Sequence, residues 1–525
     1  MESKRKPATL LEAWQRQVEQ RPDKAAIRDS HGAALTYAEA DRQARILASH
    51  FRRLDVGPGG IIACQLPGWV EFLPIYIAAL KLGAIFNPIP PNLRTYDLSR
   101  MLCSSQILIV PRSYRNFTYC EMAGDLTERH PHLRAQIAVD KFYEGSRLPT
   151  YTQIVAEGLE EPLPPSRRGA DEPAAILFTS GSEGRPKGVV FSHRNILAAE
   201  RSFMEFFGLG ENDRMFMPAP LAHAIGFHHG VSMSFISGGT CILQDKFVPE
   251  EALGLMEAHK ATVSMATTAF LHDLLKVLRQ REFDLSALRF FLSGGSAPNY
   301  ALVAEARERG INVLNVYGSS ESVPHMGTPP GATEEQKARQ ALFPMPGVEV
   351  KLVDEAGREA APGQEGEELS RGEAVFLGYL KRGGGVESTL EDGWHRSGDL
   401  CRRLPDGSYA VTGRKKDIII RGGENISSPE VEGILLKHGK IAEACVVAMP
   451  DPRLQERVCA YVVLKDPAQS LDLPELRNHF AELKIAALKC PEHIELVPEL
   501  PRTESGKVDK ALLAKKIAAK GPIKG

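Results

Sequence analysis

"GGIIACQLPGWVEFLPIYIAALKLGAIFNPIP", residues 59–90, decides the fold class of this chain. The apolar run after its paired glycines, "GGIIACQLP", has the length and composition of a buried strand. "GWVEFLPIYIAALKLG" is too long for a strand and closes on Gly83, a helix stop signal. "AIFNPIP" then returns to strand character before a run of prolines. Strand, helix, strand in that order is the unit of an α/β protein with parallel sheet. The stretch is apolar enough to raise the question of a membrane span. Pro74, Lys81, Pro88, Pro90 and Pro91 interrupt it too often, so the expectation is a buried helix feeding a strand.

The alternation recurs along the chain. "AAILFTS" (174–180), "TCILQD" (240–245) and "LRFFLSGG" (288–295) read as strands. "NILAAERSFMEFFG" (195–208), "PEEALGLMEAHK" (249–260) and "YALVAEARERG" (300–310) read as helices. Around residues 345–412 short strands separated by Gly, Pro and Asp turns indicate a small β-rich subdomain. A compact α+β segment follows, from helix "PEVEGILLKHG" to the basic helical tail "KVDKALLAKKIAAK". The boundary is placed near Arg414–Asp417, giving an N-terminal domain of residues 1–415 and a C-terminal domain of residues 416–525.

Bulk composition narrows the function classes. With 525 residues, the chain exceeds what one hydrophobic core supports. Hydrophobic residues at 43% and charged residues at 25% fit an ordinary globular enzyme. A net charge of −2 supplies no global attraction for nucleic acid or anionic lipid, so neither is an expected partner. Eight scattered cysteines without a CxxC pair point to reduced thiols rather than disulfides or zinc. The basic start "MESKRKPATL" is followed by no apolar signal-peptide core, and the expected location is the cytoplasm.

Chemistry enters at "TSGSEGRPKGVV", residues 179–190. Glycines let backbone N–H groups close on an anion; Thr179, Ser180 and Ser182 add hydroxyls, and Lys187 adds a point charge. An ordinary polar turn would also explain the glycines and serines. The common nucleotide loop puts Ser or Thr after its lysine to hold magnesium, and here Gly188 stands there. Three further stretches are informative together. "NVYGSSES" carries Tyr317, Gly318, Ser320 and Glu321; "HRSGDL" carries Asp399; "PRTESGKVDK" carries Lys507. Taken singly, Glu321 reads equally as a surface carboxylate, Asp399 as a turn residue and Lys507 as one lysine of a solvated tail.

In this order, and with "LSGGSAP", "GEELSRG" and "GRKKDIIIRGGENISSPEVE", these stretches resemble the adenylate-forming superfamily of acyl-CoA ligases, adenylation domains and luciferases. Within it the chain looks most like bacterial short- or medium-chain fatty acid–CoA ligases. The resemblance implies a large N-terminal domain of two α/β subdomains plus a small β-rich one, and a small mobile α+β C-terminal domain. It implies attack of a substrate carboxylate on the α-phosphorus of ATP, giving acyl-AMP and pyrophosphate, then displacement of AMP by the thiol of coenzyme A. The lysine loop then only restrains the departing phosphates, and Mg²⁺ is held elsewhere, by Glu321.

Carried over by the same resemblance, Thr179, Ser180, Gly181, Ser182 and Lys187 form the phosphate loop. Tyr317 stacks on adenine beside a wall of Gly294, Gly295, Ser296, Ala297 and Pro298, and Gly318 and Ser320 also belong to the nucleotide site. Asp399 accepts the ribose hydroxyls, Arg414 lies near ribose and phosphate, and His223 lies near the acyl carbonyl. Lys507 bridges the acyl carboxylate and the α-phosphate, Lys416 is the hinge, and Gly422 and Gly423 line the thiol's tunnel. His228 and His229 have no counterpart and read as packing or pocket-wall residues. Glu183 in place of the usual Thr of the loop, and Ser320 in place of another, are the departures nearest the chemistry. Two rivals remain at this point. One is a stand-alone adenylation enzyme for an aryl or alicyclic acid, or one loading a carrier protein; the other is a scaffold on an inactive ligase fold.

Overall fold

The structure, a computed structural model, describes residues 7–140, 149–163, 168–179, 186–295, 300–381, 383–421, 424–451, 454–483, 485, 487–503 and 506–520. It divides into two compact units, Met1–Glu349 with Ser370–His395, and Val350–Leu369 with Arg396–Gly525.

Two sheets organise the first unit. The expected strand–helix–strand is present as Ile61–Cys64, Phe72–Leu82 and Ile85–Pro88, with the two strands pairing in parallel. Gly83 ends the helix in the left-handed conformation, at φ 66°. The helix is apolar on every side, which a water-facing helix cannot be, and every residue of it but Lys81 is buried. Lys81 is accommodated because its ammonium lies 2.7 Å from Asp41 Oδ1 on the neighbouring helix Tyr37–Arg53. Asp41 also accepts from the indole of Trp14 at 2.8 Å, so a nearly sealed carboxylate has its partners.

Around that helix lies an eight-stranded sheet, described from Val386–Glu387 at one edge to Ala135–Val139 at the other. Its strands from Pro173–Thr179 outward to Ala135–Val139 are parallel. Lys187–Ser192 and Gly378–Leu380 add on antiparallel. The nine-stranded sheet is parallel from Val313–Ser319 through Phe290–Gly294, Val263–Ala266, Arg214–Met217 and Thr240–Leu243 to Ala25–Asp29. Tyr76, Phe86, Phe227 and Phe235 fill the shared core, each at most 1% exposed. Each such ring contributes about 1.5–3 kcal/mol by leaving water. The helices begin where the sequence offers caps: Ser192 and Asn195 form a reciprocal capping box at the start of His193–Phe207.

The second unit holds a four-stranded sheet and a five-stranded one. The first of these comprises Glu349–Val353, Glu365–Arg371, His395–Arg403 and Tyr409–Arg414. The second contains the long antiparallel pair Ile441–Asp451 and Gln455–Leu464, with Ser428–Leu435, Leu473–Glu482 and Lys510–Ala519 as its helices. Its core is Ile419, Val431, Leu435, Val446, Val458 and Leu476, all 1% exposed or less. The mixed α/β architecture is the one the sequence implies. Among the described residues no helix is long and apolar enough to cross a membrane.

Candidate active site

The lysine loop is a strand-to-strand connection. Pro173–Thr179 and Lys187–Ser192 pair antiparallel, with Lys187 opposite Thr179 at the open end of the ladder. Ser180, Gly181 and Ser182 lie outside the described residues. This register explains Gly188. A Cβ at that position would sit 3.1–3.2 Å from Ile176, Phe178 and Leu380 side chains on the two flanking strands. A hydroxyl there would be buried among the side chains of those strands. Lys187 itself is exposed, and its ammonium lies 5.4 Å from the centre of the Tyr379 ring.

Tyr379 was not marked by any sequence motif, and it ties two predicted residues together. Its hydroxyl donates to Glu321 Oε1 at 2.8 Å. Burial and the Glu321 carboxylate both push the phenol up, so it remains a donor. Glu321 sits on a tight turn between Val313–Ser319 and Val323–Gly327. Ser319 shapes this turn: its Oγ accepts from the N–H of Glu321 at 3.1 Å and of Ser322 at 3.3 Å. A Cβ on Gly318 would run into the Val323 carbonyl, so the turn closes only over glycine. Val323 adopts φ 46°, unusual for a β-branched residue, next to the carboxylate it helps present. Ser320 and Tyr317 are half-buried on the same turn and strand, and Tyr317 meets His325 edge-on at 5.4 Å.

Glu321 suits a hard divalent cation. It is half-buried, and its Oε2 accepts no hydrogen bond from a described residue. Among the described residues no group of three or more His, Cys, Asp or Glu could hold a metal unaided. A cation at Glu321 would therefore share its shell with phosphate oxygens and water, the usual arrangement for Mg²⁺.

Gly294 ends the neighbouring strand Phe290–Gly294, and Gly295 follows at φ 83°. Ser296, Ala297 and Pro298 lie outside the described residues. Ile225, whose Cδ1 is 3.7 Å from a Cβ placed on Gly294, starts a π-helix, Ile225–Ser232. His223 precedes that helix, half-buried. Its Nδ1 accepts from the Ile225 N–H at 3.3 Å, which puts the proton of a neutral ring on Nε2. His228 and His229 lie within that helix. Both are fully buried and share Glu200, at 3.3 Å and 3.0 Å. They are core residues, as one of the two sequence readings had it, and Glu200 is the partner that reading lacked.

In the second unit Asp399 and Arg414 are cross-strand neighbours. The Arg414 guanidinium holds the carboxylate by both oxygens, through Nε and, at 3.4 Å, Nη2. Asp399 is 3% exposed, and its backbone N–H donates to Ser397 Oγ at 3.0 Å. An ionised carboxylate is an acceptor through both oxygens, the property that recognition of paired hydroxyls needs. Lys507 is exposed on the turn before Lys510–Ala519, where Thr503 donates to its carbonyl at 2.7 Å. The side chain of Lys416 and the whole of Gly422 and Gly423 lie outside the described residues; strands Ile418–Arg421 and Glu424–Ser427 flank those glycines as an antiparallel pair.

Residues 14–380 match the family of AMP-binding enzymes, and residues 430–507 match the AMP-binding enzyme C-terminal domain. The chain belongs to the AMP-binding enzyme family. It is 44% identical to a medium-chain fatty-acid–CoA ligase of Escherichia coli over 97% of this chain and 90% of that one. It is 30% identical to a salicyl-AMP ligase / salicyl-S-ArCP synthetase of Mycobacterium tuberculosis, over 96% and 90% of the two chains. Among solved structures, ATP-bound MatB of Rhodopseudomonas palustris superposes with a TM-score of 0.87 at 26% identity, covering 97% of this chain and 99% of that one. For an AMP-binding enzyme, an exposed lysine, a turn-mounted carboxylate and an oriented Asp–Arg pair are groups of the kind that nucleotide chemistry uses.

Proposed function

We propose that the protein is an ATP-dependent acid–thiol ligase that activates a short- to medium-chain fatty acid. The observation that carries this reading is the 44% identity to a medium-chain fatty-acid–CoA ligase, sustained over 97% of the chain. In the first half-reaction a carboxylate oxygen of the acid bonds to the α-phosphorus of ATP and the bond to pyrophosphate breaks. In the second, coenzyme A gives up its thiol proton, sulfur bonds to the acyl carbon and AMP leaves.

In this reading Lys187, with Thr179, Ser180, Gly181 and Ser182, restrains the leaving phosphates. Glu321 would hold Mg²⁺, which when bound would supply positive charge against the leaving pyrophosphate and the crowded phosphorus. Tyr317 stacks on adenine against Gly294–Pro298, and Asp399, oriented by Arg414, takes the ribose hydroxyls. His223 faces the acyl carbonyl. Lys507 brings a cation between two anions that would otherwise repel each other, and then withdraws. The hinge for that withdrawal is Lys416, so that residues 1–415 and 416–525 act as separate bodies; it lies between the four- and five-stranded sheets of the second unit. Gly422 and Gly423 admit the thiol arm. The place of action is the cytoplasm.

The test is pyrophosphate exchange and thioester formation with a panel of acids. Octanoate or hexanoate, with ATP, Mg²⁺ and coenzyme A, should give exchange and acyl-CoA. Exchange confined to aryl acids, or transfer only to a carrier protein, would replace this reading with the rival one. Absence of exchange with every acid would overturn both.

A further inference from the structure

Lys187 and Glu321 carry opposite charges on neighbouring segments, yet Lys187 makes no ion pair with a described residue. One side chain touches both. The Tyr379 hydroxyl holds Glu321 Oε1, and its ring face lies 5.4 Å from the Lys187 ammonium. We propose that Tyr379 is a positioning residue for the adenylation step, aiming the Glu321 carboxylate at the cation while keeping it apart from the phosphate-loop lysine. This rests on the reading of Glu321 as the metal ligand and Lys187 as the phosphate ligand.

The placement is over-determined. Tyr379 lies opposite Val189 in the antiparallel pairing of Gly378–Leu380 with Lys187–Ser192, so its position is set by the same strand that carries Lys187. Phe376, 1% exposed, braces the ring edge-on at 5.0 Å. The Phe376 N–H donates to the Glu321 carbonyl at 2.9 Å, tying the same short segment to the main chain of the carboxylate.

The chemistry follows from the donor count. A carboxylate can rotate and can accept through either oxygen. A phenol that only donates fixes one oxygen and leaves the other for a cation. A direct Lys187–Glu321 pair would instead neutralise both groups and compete with phosphate and metal alike. An aromatic face attracts the ammonium more weakly than a carboxylate does, so the lysine stays available to a stronger anion.

The experiment is calorimetric binding of α,β-methylene-ATP to the full chain, with and without saturating Mg²⁺. The quantity read is the ratio of the two affinities. In Tyr379→Phe, which loses the donor and keeps the ring, the metal advantage should fall about tenfold, while metal-free binding stays unchanged. In Tyr379→Leu, which loses both, metal-free binding should also weaken, by about threefold. Glu321→Gln is the reference variant. Should Glu321→Gln lose the metal advantage and Tyr379→Phe retain it, the inference fails and the metal reading stands. Should neither variant lose it, the metal reading falls and takes the inference with it. Equal weakening of metal-free and metal-loaded binding in Tyr379→Phe would reduce the tyrosine to packing.

Discussion

Glu200 and Glu321 are both carboxylates in the first unit, and the protein treats them in opposite ways. Glu200 is fully buried on the helix His193–Phe207, between His228 at 3.3 Å and His229 at 3.0 Å. His229 stacks on Phe203 at 4.1 Å, and His228 meets Phe191 edge-on at 4.8 Å. Burial opposes charge on Glu200, but the two imidazoles outweigh it and hold the carboxyl down at about 2. Glu321 is half-buried and is met by a neutral phenol at one oxygen. A carboxylate whose partners are imidazoles sealed in the core with it has finished its chemistry and serves the fold. One that is oriented by a neutral donor still has charge to offer. The distinction lies in the partner: a motif resemblance marks Glu321, and nothing in the sequence marks Glu200.

The largest effect expected from breaking this comparison is on stability. Glu200→Ala leaves two sealed imidazoles without their shared acceptor and should cost about 1–3 kcal/mol, read by urea denaturation. Glu321→Ala should cost less, about 1 kcal/mol or under, because the residue is only half-buried and loses a single hydrogen bond, from Tyr379. Its octanoate-dependent pyrophosphate exchange should nonetheless fall about 10²- to 10³-fold. If the two substitutions have similar stability costs, the contrast between a sealed and an open carboxylate is wrong.

Lys507 extends the series to an exposed side chain. Lys507→Ala should be silent in denaturation and should lower acyl-AMP formation about 10²- to 10³-fold. Thiolysis of supplied acyl-AMP should survive, since the lysine serves only the first half-reaction. Equal loss of both half-reactions would remove Lys507 from the role proposed for it.

Much of this was legible in the chain. Strand and helix periods, and stops such as Gly83, located the elements because each depends on neighbours in sequence. Contacts between distant segments were not legible. Ser370–His395 leaves the four-stranded sheet and rejoins the first unit before the chain returns at Arg396, which no local pattern announces. Tyr379 lies in a three-residue strand, where an aromatic reads as packing until Glu321 is seen beside it. Glu200 sits at a polar position of an otherwise amphipathic helix, indistinguishable there from a solvated acid. Asp399 and Arg414 were assigned through resemblance; their pairing came from register, which sequence order does not state.

The smallest expected effect concerns protons. Burial pushes His228 below its ordinary value by more than Glu200 raises it, so the fold favours a neutral ring. A group depressed in the fold contributes stability that is present above its unfolded value, near 6.5 here, and lost as pH falls through the folded one. Glu200 has the same sign in a lower window, its contribution draining between 4.5 and about 2. Stability should therefore fall as pH drops below 6.5, with His193, held at about 4 by burial and by Arg168, adding to the slope. In His228→Asn one such proton is gone, and the slope between pH 6.5 and 5.5 should flatten by up to about 1.4 kcal/mol per pH unit. The slope is the readout, because the substitution also changes packing at every pH. A slope that steepened instead would mean that the ring beside Glu200 is charged in the fold, and an unchanged slope would mean that it takes up its proton alike in the folded and unfolded chains.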